Sequence, residues 1–240
     1  MQLPIEWLPA QGAPEQLIVL LHGWGSAGAA MAPLAQALRA QFPQAVVLAP
    51  DAPQPFEGEG PGRQWFSIGG ITDEDRPARV AVALPPLLAW LRAQQHRLGV
   101  APPATALGGF SQGAILALEA AVHADGIAGR VLAFAGRFAT LPEAAPRETT
   151  LHLFHGGADD VMPVAHAQAA QDRLDALHGD ATIDIAEGVG HVLHPVLVEC
   201  ALQRLKTHIP LRTWQAALGA APATINRSGA APGRRPTEDC

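Results

Sequence analysis

Ser111 sits in Gly109-Phe110-Ser111-Gln112-Gly113, directly after a strand-like run ending at Leu107 and directly before an apolar, helix-like stretch. This is the sequence form of a nucleophile elbow, a sharp strand-to-helix turn that presents a serine hydroxyl above a sheet for attack on a carbonyl carbon. Glycines at both flanks fit that turn, because a side chain at either position is expected to collide with neighbouring backbone.

A serine hydroxyl is a poor nucleophile at neutral pH and needs a base, normally a histidine steered by a carboxylate. The chain supplies both. The strand-like run 151–154 leads into His155-Gly156-Gly157-Ala158-Asp159-Asp160, which puts an acid on the loop after it. Asp159 is the first choice for that acid and Asp160 its rival. The next run, 182–186, leads through Glu187-Gly188-Val189-Gly190 to His191, which places an imidazole just ahead of the last helical pattern. In this scheme Asp159 fixes the tautomer of His191, and His191 takes the proton from Ser111 and hands it to the leaving group. Serine, then aspartate, then histidine is the chain order of an α/β-hydrolase. Ahead of them, His22-Gly23-Trp24-Gly25-Ser26 follows an early apolar run, where small residues let backbone approach a substrate. The backbone N–H groups of Trp24 and Gln112 are the expected oxyanion donors, with His22 bracing the turn.

Elements that could hold these groups are legible along the chain. Short apolar runs at 17–21, 45–49, 104–107, 130–134, 151–154 and 182–186 read as strands, and helical patterns at 29–41, 78–95, 112–124, 165–177 and 192–207 separate most of them. Such alternation predicts an α/β fold, a mainly parallel central sheet with helices on both faces. Active sites in such folds lie at the carboxyl ends of the strands, where Ser111, Asp159 and His191 fall. The segment 50–77, rich in Pro, Gly and acids yet carrying Arg63-Gln64-Trp65-Phe66-Ser67, is expected to be ordered over the site. One catalytic domain is expected over 1–212, with a C-terminal extension over 213–240 that is flexible beyond about residue 220.

Composition narrows the function classes. A net charge of -6 with dispersed arginines and Lys206 as the sole lysine offers no basic stripe for nucleic acid. The early apolar run is too short to insert stably in a membrane, no leader pattern precedes it, and a cytoplasmic location is expected. Cys200 and Cys240 make neither a disulfide framework nor a metal set. His191 and His194 lie three apart without a His-Glu-x-x-His pattern, and no phosphate-binding loop is present. No metal and no other cofactor is expected.

Together these stretches resemble the phospholipase/carboxylesterase family of α/β-hydrolases, which includes acyl-protein thioesterases. The resemblance rests on Leu21-His22-Gly23, Gly62 to Ser67, Gly70-Ile71-Thr72, Gly109 to Gly113, His155-Gly156-Gly157 and Gly190-His191. It implies a serine esterase without a large cap domain, its pocket formed by loops over the sheet and its substrate a small ester, with thioesters as a second activity. Trp65, Phe66, Met162 and Val192 are the pocket residues expected on this basis, and Trp24 and Trp65 would shorten the acyl channel and favour short to medium chains. A long-chain acyl-protein thioesterase or lysophospholipase-like hydrolase is the alternative. A binding protein on a hydrolase scaffold fits less well, since it would not need all three reactive groups.

Overall fold

The six apolar runs are strands because most of their residues can be buried on either face of a sheet. In Leu17-Ile18-Val19-Leu20-Leu21 the odd-numbered side chains enter one core and the even-numbered ones a second, as a strand's two-residue period requires. The computed structural model describes residues 4–219; the extension expected to be flexible, from 220 onward, lies outside them. In chain order the elements are β1 (Ile5–Trp7), β2 (Gln16–Leu21), α1 (Ala32–Gln41), β3 (Ala45–Ala49), β4 (Gln54–Pro55), β5 (Arg63–Gln64), α2 (Arg76–Leu98), β6 (Thr105–Phe110), α3 (Gln112–His123), β7 (Arg130–Phe134), β8 (Thr150–Gly156), α4 (Ala165–Ala176), β9 (Ala181–Ala186), α5 (Pro195–Thr207) and α6 (Leu211–Ala217).

The main sheet runs β1-β3-β2-β6-β7-β8-β9, parallel throughout except for β1, which pairs antiparallel to β3 at one edge. Side chains of α2, α3 and α4 fill one face, and those of α1 and α5 fill the other. This is the α/β-hydrolase arrangement read from the sequence. β4 and β5 form a small hairpin inside the 50–77 segment, so that segment is structured.

Helix limits differ from the expected ones where local chemistry decides them. A short 3-10 turn at Gly28–Met31 precedes α1. α5 starts at Pro195 because His194 caps it, its ring accepting from Val196 N–H at 3.3 Å, and proline suits the first helical position. The expected domain boundary at 212 falls inside α6, where Arg212 Nη1 reaches Thr150 Oγ1 at 3.2 Å and Leu211 N–H donates to Asp180 at 3.0 Å. No helix among the described residues is long and apolar enough to cross a membrane.

Candidate active site

The turn from β6 into α3 holds Ser111 at φ 53° and ψ −114°, in left-handed space that a residue with a Cβ seldom occupies. Two close approaches maintain it. A Cβ on Gly109 would stand 2.3 Å from the Gly113 carbonyl carbon, and one on Gly113 would stand 2.2 Å from Leu21 O. Both flanking glycines are therefore required by backbone contact. Ser111 N–H donates to Phe134 O at 2.9 Å, which ties the turn to the end of β7. The Ser111 hydroxyl makes no capping bond to α3 and is left for other work.

Three side chains from the ends of three parallel strands converge there. His191, on the loop after β9, has Nε2 3.0 Å from Ser111 Oγ and Nδ1 2.7 Å from Asp159 Oδ2. The same ring packs on Phe110, with centroids 4.9 Å apart. Asp159 follows β8 with its side chain fully buried, and its Oδ1 accepts from Val161 N–H at 3.0 Å and Met162 N–H at 2.7 Å. With the serine hydroxyl donating to Nε2, the proton of His191 sits on Nδ1 and is directed at the carboxylate. Asp160 is exposed and takes no part in this array. His155, assigned no role from the sequence, stands 3.5 Å from Asp159 Oδ2 and donates from Nε2 to Met162 O at 2.6 Å. Burial pushes its pKa down, so His155 stays neutral and leaves the Asp159 charge to His191.

The loop after β2 faces this array. A Cβ on Gly23 would lie 3.1 Å from the Phe110 ring and 3.5 Å from Ser111 Cβ, which shows how closely the backbone passes. The N–H groups of Trp24 and Gln112 have no protein acceptor among the described residues. For Gln112, the first residue of α3, that is the normal condition of a helix N-terminus. His22 braces the loop, as expected: Nδ1 donates to Gly23 O at 2.7 Å and Nε2 accepts from Ala52 N–H at 3.0 Å, while burial lowers its pKa and keeps the ring neutral.

A cavity of about 580 Å³ opens beside these groups, and its apolar wall includes Phe66, Ile68, Ile71, Met162 and Val192. Of the expected pocket residues, Phe66, Met162 and Val192 line this space, and so does Trp24. Trp65 is a correction. It is 2% exposed and turned inward, its indole N–H donating to His22 O at 2.8 Å, so it supports the loop carrying Trp24 and does not shorten the channel. Arg63 likewise spends its guanidinium on Ala52 O and Pro53 O. Its backbone pairs with Ser26, and a Cβ on Gly62 would meet Gly25 O at 2.1 Å. Glu57 closes this segment by accepting from Ser67, Gln64, Ile68 and Gly69. The Ser67 hydroxyl foremost, with those other donors, pulls its carboxyl down to about 2. This tie is present above the ordinary carboxylate range and is lost only as pH falls toward that value.

The side chain of Gln112 is the second support. Its Oε1 accepts from Trp65 N–H at 2.8 Å and its Nε2 donates to Phe66 O at 2.7 Å, both buried. Gln112→Ala leaves a buried donor and a buried acceptor unpaired, each costing about 1–3 kcal/mol. Denaturant unfolding should register a loss of about 2–4 kcal/mol; a loss below about 1 kcal/mol would mean that the 65–66 segment is held by something else. No motif in the sequence singles out Arg76, Arg137 or His166, which also line the cavity.

The model of the family described as Phospholipase/Carboxylesterase matches residues 8–209. The chain is 44% identical to esterase YpfH of Escherichia coli (strain K12) over 204 residues, covering 85% of this chain and 88% of that one. It is 24% identical to acyl-protein thioesterase 1 of Gibberella zeae, over 84% of this chain and 94% of that one. Among solved structures, esterase PE8 superposes with a TM-score of 0.78 at 31% identity, covering 84% of this chain and 96% of that one.

Proposed function

The chain belongs to the phospholipase/carboxylesterase family and hydrolyses carboxylic esters, and we propose that it does so through an acyl-enzyme on Ser111, with His191 as base and Asp159 as its positioning acid. The observation that carries this assignment is the unbroken relay from Asp159 through His191 to Ser111 Oγ, at 2.7 and 3.0 Å, beside the two unclaimed N–H groups. His191 Nε2 takes the serine proton as Oγ attacks the ester carbonyl, and the N–H groups of Trp24 and Gln112 receive the oxyanion that forms. The imidazolium, held by Asp159, then protonates the departing alcohol. Water enters by the same steps in reverse and releases the acid.

Short to medium acyl chains are the proposed substrates, with thioesters as a second activity. Trp24 supports this: it lines the cavity beside Ser111, 39% exposed, with its ring held against Phe56. A cytoplasmic setting is part of the reading.

Labelling with a fluorophosphonate, followed by a panel of p-nitrophenyl esters of rising acyl length, tests these points together. Ser111 should carry the label. Each methylene that enters the cavity adds about 0.8 kcal/mol, so kcat/KM should climb by up to about fourfold per carbon, then flatten or fall once the space is full. Trp24→Ala should move that break to longer chains. A rate that keeps climbing to palmitoyl esters would instead favour a long-chain acyl-protein thioesterase.

A further inference from the structure

Two guanidinium groups interrupt the apolar lining of the cavity that holds Ser111: Arg76 from the first turn of α2 and Arg137 from the loop after β7. Their side chains are only 16% and 17% exposed. A cation withdrawn this far from water is costly unless it is paired and hydrogen-bonded. Here the pairing falls short. Asp73 is the carboxylate that faces both, 3.6 Å from Arg76 Nη2 and 3.2 Å from Arg137 Nη1, and it is itself 75% exposed. The first of these distances is outside hydrogen-bond range. Arg76 Nε is buried with no hydrogen-bond partner.

The other neighbours do not make up the difference. Asp75 is engaged by Arg79, with Nε donating to it at 3.0 Å. His166 approaches Arg137 Nη1 at 3.3 Å, and because burial lowers its pKa the ring is neutral and acts as acceptor. Arg137 Nε donates to Phe138 O at 3.2 Å. Arg76 also stands in the first turn of a long helix, where the macrodipole favours an anion and opposes a cation. Burial and the adjacent Arg137 lower its pKa accordingly. Two desolvated cations, one exposed carboxylate and an unmet guanidinium N–H on the first turn of a helix are the complement of an anionic ligand.

Resting on the reading of this cavity as the ester site, we propose that Arg76 and Arg137 form an anion subsite and that the preferred substrates are esters bearing a free carboxylate, such as half-esters of dicarboxylic acids. Apolar walls near Ser111 take the methylenes, and the guanidiniums take the charged end. Hydrolysis adds one water across the ester C–O bond, giving the second carboxylate and the alcohol. A neutral chain long enough to reach Arg76 buries the cations further and offers no charge in return, so it is disfavoured.

The test compares kcat/KM for the mono-p-nitrophenyl ester of adipic acid with that for its neutral carboxamide analogue, and repeats the pair with the charge on the alcohol side, using the acetate ester of ω-hydroxyhexanoic acid and its amide. In at least one series the acid should be preferred by about tenfold or more, the range of a charge-assisted hydrogen bond. That ratio should fall toward one in Arg76→Gln and be partly kept in Arg76→Lys. If Arg76→Gln does not fold, Arg137→Gln reads the same ratio. Equal or poorer use of the acid in both series, with the neutral ester turned over and Ser111 labelled, overturns the subsite and leaves the ester hydrolase standing. Preference for a phosphonate of equal length over the carboxylate overturns the assigned substrate class. Absence of both labelling and neutral turnover overturns the ester-site reading and this inference together.

Discussion

Ser111→Ala is expected to fold as the parent does and to lose about 10⁴-fold or more in kcat/KM on a short p-nitrophenyl ester, about 5.5 kcal/mol of transition-state stabilisation. The size of the loss follows from the geometry. Oγ accounts for one end of the relay with His191, and nothing else in the turn offers an oxygen to the base. Triad members act as a unit, so what survives is the contribution of oxyanion donors and binding. Stability should scarcely change. Alanine keeps the Cβ that makes φ 53° costly, and the hydroxyl it lacks makes no cap to α3. Retention of more than a tenth of the parental kcat/KM in a variant of unchanged melting temperature would move the nucleophile elsewhere.

Much of this site is legible in the sequence because the turn that presents each reactive group is fixed by a few adjacent residues. A Cβ on Gly109 or Gly113 would meet backbone at 2.3 or 2.2 Å, so the elbow is written in five consecutive letters. Asp159 and His191 each follow a short run that reads as a strand, and a parallel sheet brings the ends of such strands together. The runs themselves are legible because helices cover both faces of the sheet, so the strands are apolar along most of their length.

The pocket wall is a different matter. Trp65 and Phe66 are neighbours at the bend just after β5, and only one of them lines the cavity. Which one does so is set by the bonds from Gln112 to Trp65 N–H and Phe66 O, across 46 residues and more of chain. Arg76, Arg137 and His166 come from three separate elements and meet only in the folded chain. β1, with three residues and little burial, and β4 and β5, with two residues each, carry too short a pattern for a two-residue period to show. α6 is missed for a related reason, since none of its seven residues is buried.

Asp159→Asn is expected to cost about three to four orders of magnitude in kcat, and Asp160→Asn less than tenfold. The adjacent residues have the same side chain, so the contrast isolates placement. Asp159 is fully buried, accepts from His191 Nδ1 at 2.7 Å, and spends its other oxygen on the Val161 and Met162 N–H groups. An asparagine can satisfy those two donors only by keeping its carbonyl oxygen on them, which turns its NH₂ toward His191. The imidazole would then present an acceptor at Nδ1 and carry its proton on Nε2, the tautomer that cannot deprotonate Ser111. Folding should therefore survive while the base is disabled. Asp160 is exposed and touches none of these atoms. Measured side by side on the same short ester, with circular dichroism to confirm both folds, the reverse ranking would move the acid by one residue. Equal small losses would instead mean that His191 is oriented by its packing on Phe110 and not by a carboxylate.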